Sequence, residues 1–149
     1  MREYLRQIIS SFKETSKKEF SLNLEQDLNS KKIYKSIEIV YGLRNFIGNA
    51  NKFANKKIFV TIKSDSEISE IIIEDDGPGY PKDVINKIGE PYNKSQIKKY
   101  STKSGLGLGI FIGKTLLEKN LANIIFRNSE TRTGAEVNIT WNNKDLKRI

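Results

Sequence analysis

The chain has 149 residues, 37% of them hydrophobic, which is the size of one ordinary domain with enough apolar side chains for its own core. It contains no Cys and no His, which excludes disulfides, thiolate metal sites, imidazole bases and a phosphoacceptor His within it. Its net charge of +8 comes from Lys spread along the whole chain and only a few Arg (Arg2, Arg6, Arg44, Arg127, Arg132, Arg148), without an Arg and aromatic strip for stacking bases. Diffuse charge of this kind reads as a solvated surface, so no nucleic-acid partner is expected.

Residues 2 to 13 place Tyr4, Leu5, Ile8, Ile9 and Phe12 at helical spacing, but no nearby segment offers them a partner. Residues 1 to 19 therefore read as the tail of an upstream helix or a linker, and 20 to 149 as the folded domain. No early apolar run of about 15 to 20 residues suggests a signal peptide or membrane span, so the chain reads as soluble and cytosolic. Phe20 to Leu24 alternates as a strand does, with Lys31 to Tyr34 as a short extension.

Residues 36 to 54 predict the first long helix, with Ser36 as N-cap and Ile39, Leu43, Phe46, Ala50 and Phe53 on one face. Lys57 to Lys63 and Ile68 to Glu74 predict a hairpin across the polar turn Ser64 to Glu67. A short helix over 82 to 88 follows, then a polar, Lys-rich stretch from 89 to 104 that reads as a mobile loop. Leu106 to Lys119 predicts a second long helix, and Asn123 to Arg127 with Glu136 to Trp141 a closing hairpin. Helices mixed with antiparallel hairpins make an α+β two-layer sandwich.

Three segments carry chemistry. Asn45, Asn49 and Lys52 fall at i, i+4 and i+7 and form one stripe, about 140° from the apolar face. Asn carbonyl oxygens suit Mg²⁺ when phosphates and water complete its shell, and Lys supplies a point charge for phosphate. Read alone, the stripe is equally an ordinary solvated helix face.

Ile71-Ile72-Ile73-Glu74-Asp75-Asp76-Gly77-Pro78-Gly79 places a carboxylate where a buried strand ends. An acceptor-only Asp there can bind the exocyclic amino group of adenine and repel the carbonyl that guanine presents at the same edge, while glycines allow close approach. A plain Asp-Gly-Pro-Gly turn is the bland alternative.

Ser104-Gly105-Leu106-Gly107-Leu108-Gly109 opens a helix with exposed backbone N–H groups, a phosphate site. Gly113-Lys114-Thr115 mimics the end of a P-loop, but Leu108 occupies the position where that loop needs its first Gly, and the mimic lies inside the helix. Gly-x-Gly-x-x-Gly spacing fails as well, which argues against a dinucleotide fold.

In order and spacing these segments resemble the ATP-binding domain of sensor histidine kinases, in the superfamily that includes DNA gyrase, Hsp90 and MutL. Asn45 to Lys52 is similar to its N box, Asp75 to Gly79 to its G1 box, Glu90-Pro91-Tyr92 to its F box with Tyr for Phe, and Gly105 to Gly109 to its G2 box. The resemblance covers about residues 36 to 141. Gly89 to Tyr92, Phe111 to Glu118 and Gly134 to Trp141 look most like the RegB/PrrB-type redox sensor kinases.

It implies a Bergerat-type fold, a mainly antiparallel mixed sheet against helices, with ATP and Mg²⁺ as cofactors. Asn49 would ligate Mg²⁺, assisted by Asn45, and Lys52 would contact phosphate. Asp75 with Gly77 and Gly79 would take adenine. Residues 90 to 104 would form an ATP lid bearing Tyr92 and Lys103, with Gly105, Leu106, Gly107, Leu108 and Gly109 lining the phosphates. The implied partners are a His-bearing dimerisation domain and a response regulator, in a homodimeric parent open to inner-membrane attachment.

Two departures stand out. Gyrase-like members carry a water-activating Glu four residues before the metal-binding Asn; here neutral Asn45 cannot act as a general base, so transfer is favoured over hydrolysis. Ala135 stands where many relatives have a Thr that supports the adenine contact. A serine kinase of the anti-sigma type and a non-catalytic basic binding module remain the rival readings.

Overall fold

Ser36 accepts a hydrogen bond from the Ile39 amide (3.3 Å) and so starts the helix Ile37–Phe53 where its sequence predicts. Burial of Ile39, Leu43, Phe46, Ile47 and Ala50 fixes which face turns inward. The computed structural model describes residues 2–25, 36–85, 88 and 108–146. In chain order its elements are α1 (Arg2–Lys13), β1 (Glu19–Glu25), α2 (Ile37–Phe53), β2 (Lys57–Ser64), β3 (Ile68–Asp75), α3 (Lys82–Ile85), α4 (Leu108–Lys119), β4 (Asn123–Asn128), β5 (Ala135–Asn142) and α5 (Asn143–Leu146). The expected extension at 31–34 and the loop at 89–104 lie outside the described residues.

The strands form one sheet in the order β1-β2-β3-β5-β4. β1 and β2 run parallel, joined across α2, and the other neighbours are antiparallel. Both predicted hairpins are present, β2 with β3 and β4 with β5. Period-2 alternation puts Ile58 and Val60 of β2, Ile71 and Ile73 of β3, and Val137, Ile139 and Trp141 of β5 in the core. They share one cluster with the buried faces of α1, α2 and α4, so the fold is the expected α+β sandwich.

The apolar face of α1, for which no nearby segment offered a partner, is covered by the core. Leu5, Ile8 and Ile9 are buried in that same core, and Phe12 stacks on Phe20 of β1 with ring centroids 6.3 Å apart. Its partners are distant in sequence, which is why local periodicity left the apolar face unpartnered.

The helices α2 and α4 cross antiparallel and very close. A Cβ on Gly42 would lie 2.6 Å from Leu117 Cγ, and one on Gly113 would lie 2.8 Å from the Phe46 ring. Glycines in helix interiors cost stability, and here that cost allows backbone approach. The P-loop mimic is thereby accounted for: Gly113 is a packing residue, and Lys114 pairs with Glu118 at 2.8 Å along the same helix.

Candidate nucleotide site

Asp75 is the last residue of β3 and follows Ile71 and Ile73 on the inward face, so its side chain is carried toward the helix layer. It is 3% exposed. Its Oδ1 accepts hydrogen bonds from the amides of Gly77 (2.8 Å) and Ala135 (3.3 Å). Among the described residues Oδ2 accepts none. Burial pushes the Asp75 carboxyl above its ordinary range, with the two amides and the more distant Lys18 charge pulling the other way.

Glycines make the cradle. A Cβ on Gly134 would overlap Asp75 Oδ1 and the Asp75 carbonyl, and one on Gly77 would overlap the carbonyl oxygen of Phe53 at the end of α2. Gly79 adopts φ +80, a conformation that favours glycine, and a Cβ there would lie 2.7 Å from Asn128 Oδ1.

The adjacent Asp76 has a different job. It lies on the opposite side of the strand end and accepts from the amides of Asn55 (2.8 Å), Lys56 (3.0 Å) and Lys57 (3.1 Å). Slight desolvation pushes its carboxyl up, but these amides together bring it below the ordinary carboxylate range. Asp76 therefore ties the α2–β2 corner to the strand end and fixes Asp75 relative to α2.

On α2, Asn45 and Asn49 are half-buried and Lys52 is exposed, so the stripe is less solvated than helical spacing alone suggests. The flank is narrowed by α4. Asn45 Nδ2 donates to Tyr41 O (2.8 Å), and its Oδ1 lies 3.6 Å from where a Cβ on Gly109 would stand. Leu108 is exposed at the start of the same helix. The Lys52 ammonium sits 5.7 Å from the Phe53 ring centroid and pairs with no carboxylate among the described residues. The fold thus brings the α2 stripe beside the start of α4, and through Gly77 it sets the end of α2 against the turn after Asp75. Tyr92, Lys103, Gly105, Leu106 and Gly107 lie outside the described residues.

Sequence reasoning missed three contributors. Asn128 Oδ1 accepts from the Tyr80 amide (2.7 Å) and its Nδ2 donates to Tyr80 O (3.1 Å), pinning the glycine turn to β4. Tyr80 packs edge-on against Phe126, and its phenol is held far above its ordinary range by burial, with the Asp75 charge adding to the effect. Gly134 touches Asp75 across the sheet. No local motif marks Asn128, which acts through strand pairing, and Gly134 is marked in the sequence only as the first residue of the RegB-like segment, not as a neighbour of Asp75; alternation from Ile71 separates Asp75 from Asp76.

A buried, amide-held carboxylate at the end of β3 and an Asn-Asn-Lys helix flanked by the start of α4 are the described parts of the candidate nucleotide site. The chain belongs to the family of histidine kinase-, DNA gyrase B- and HSP90-like ATPases (HATPase_c), whose profile matches residues 35–145. Sensor histidine kinase RegB of Cereibacter sphaeroides is 35% identical over 119 residues, which cover 70% of this chain. The match spans only 26% of that relative's length. The RegB-type resemblance read from the sequence is borne out by this similarity.

Among solved structures, the catalytic domain of histidine kinase ThkA superposes with a TM-score of 0.73 at 21% identity, covering 95% of this chain and 92% of the other. The mycobacterial sensor histidine kinase MprB gives a TM-score of 0.70 at 20% identity, covering 95% and 93%. These likenesses establish the shared fold. The comparisons favour neither the serine-kinase nor the basic-module reading.

Proposed function

We propose that this chain is the ATP-binding catalytic domain of a sensor histidine kinase, presenting the γ-phosphate of ATP to a His on a separate dimerisation domain, from which it would pass to a response regulator. The observation that carries the reading is Asp75, whose Oδ1 is occupied by two backbone amides while the carboxylate faces the helix layer. Oδ2 then accepts from the adenine amino group.

Asn49 and Asn45 are the side chains that would hold Mg²⁺. Among the described residues no group of three or more acidic, Cys or His side chains could hold a metal alone, and neutral carboxamides suit an ion that arrives with phosphates. When bound, the ion would neutralise charge on the triphosphate, with Lys52 and the start of α4 taking its outer oxygens. Asn45, being neutral, activates no water, so the site favours transfer over hydrolysis. Among the described residues no helix is long and apolar enough to cross a membrane, so attachment of the parent kinase would depend on segments elsewhere.

Asn49→Ala is expected to abolish the Mg²⁺ enhancement of ATP affinity and to leave the melting temperature nearly unchanged, because Asn49 is outside the apolar core. Calorimetric titration with and without Mg²⁺ checks this. Retained enhancement, or an unfolded variant, would instead make Asn49 a structural residue.

A further inference from the structure

The last turn of α2, which carries Asn49 and Lys52, is backed by residues that lie outside the 35–145 family match. Phe12 at the end of α1 abuts Gly48, where a Cβ would stand 3.3 Å from the ring. Ser16 Oγ donates to Asn51 Oδ1 (2.7 Å) and accepts from the Lys18 amide (3.1 Å). The Lys18 ammonium donates to the Asn51 carbonyl and reaches the Lys52 carbonyl at 3.4 Å.

Helix ends leave their last carbonyls without intrahelical donors, and a cation there also complements the helix dipole. Ala54 N–H satisfies the Ala50 carbonyl, and Lys18 takes the next two. Lys18 is half-buried and forms no ion pair with a carboxylate among the described residues; its ammonium bonds the helix end, and only the weakest of the effects on Asp75 comes from its charge. An unheld last turn would fray, moving Lys52 and then Asn49 while leaving Asp75, held by Gly77 and Ala135, in place.

We propose that Lys18 is a positioning residue for the triphosphate end of the nucleotide site, holding the last turn of α2 so that Asn49 and Lys52 face the phosphates. The proposal rests on the nucleotide-site reading above. It separates two ends of one ligand: loss of Lys18 should weaken binding of the phosphate-bearing part and spare the base.

The test is calorimetric titration of the whole chain with Mg²⁺–ATP and with adenosine. Lys18→Met is expected to weaken Mg²⁺–ATP about tenfold, as loss of a charge-assisted hydrogen bond does, and adenosine by less than about twofold. Lys18→Arg, which keeps charge and donors, should restore Mg²⁺–ATP affinity. Should Lys18→Met not fold, Lys18→Gln keeps a donor but not the charge, and the same selective loss is expected. Equal weakening toward both ligands, unchanged Mg²⁺–ATP affinity, or no rescue by Arg overturns the role of Lys18. A wild-type chain that fails to bind Mg²⁺–ATP, or an Asp75→Asn variant that binds adenosine as wild type does, contradicts the nucleotide-site reading itself.

Discussion

Asp75→Asn is expected to weaken ADP binding by about 1 to 3 kcal/mol while raising the melting temperature of the nucleotide-free domain. The binding loss arises because Asn keeps an oxygen for the Gly77 and Ala135 amides but turns an NH₂ toward the adenine amino group, donor against donor. The stability gain has a separate cause. Burial raises the Asp75 pKa above its ordinary value of 3.8, so the folded state holds this proton more tightly than the unfolded chain does. Between the ordinary value and the raised one, rising pH removes stability, and at neutral pH the ionised, buried Asp75 is a net cost to the fold. A neutral Asn removes that cost at pH 7, and the difference in melting temperature between the two proteins should shrink as pH falls below the window. Adenine over guanine selectivity should disappear with the carboxylate. Wild-type ADP affinity in Asp75→Asn would exclude this residue from base recognition.

The second large effect is expected at Gly134. A methyl group there would overlap Asp75 Oδ1 and the Asp75 carbonyl oxygen, and would stand 2.6 Å from the Asp75 carbonyl carbon. Backbone cannot move aside as the tip of a long side chain can, so β5 must shift from β3, losing the Ala135 amide from Asp75. Overpacking of this kind costs about 1 to 3 kcal/mol. Thermal melting of Gly134→Ala should show a drop of several degrees together with lost ADP binding. Gly109→Ala is the matched control, since among the described residues its Cβ would meet only Asn45 Oδ1, at an ordinary 3.6 Å. It should melt at or above the wild-type temperature, because Ala is the better helix former. A Gly134→Ala domain as stable as wild type would contradict the described approach of the two strands.

What was legible in the sequence is what is local. Ser36 and the apolar stripe behind it mark α2, alternation marks β2 and β3, and the polar tetrapeptide Ser64 to Glu67 marks the hairpin between them. Features that depend on distant partners were not legible. The α1 face finds its core only after the sheet has formed, and nothing near β1 indicates that it pairs parallel with β2. Asp75 itself was legible, since strand parity runs from Ile71 and Ile73 to it, but the role of its neighbour Asp76, which collects three amides at a corner, was not. Asn128 and Lys18 reach their targets across 48 and 33 positions of sequence, a distance over which no motif operates.

Phosphotransfer tests the central claim most directly. The chain is mixed with γ-labelled ATP, Mg²⁺ and the separately purified His-bearing helical domain of its parent kinase. Label stable in base and lost in acid should appear on the helical domain and not on this chain, which has no His. Alone, the chain should release phosphate very slowly. Rapid hydrolysis by the isolated chain, or acid-stable label on one of its own Ser residues, would contradict the assignment as the catalytic half of a histidine kinase.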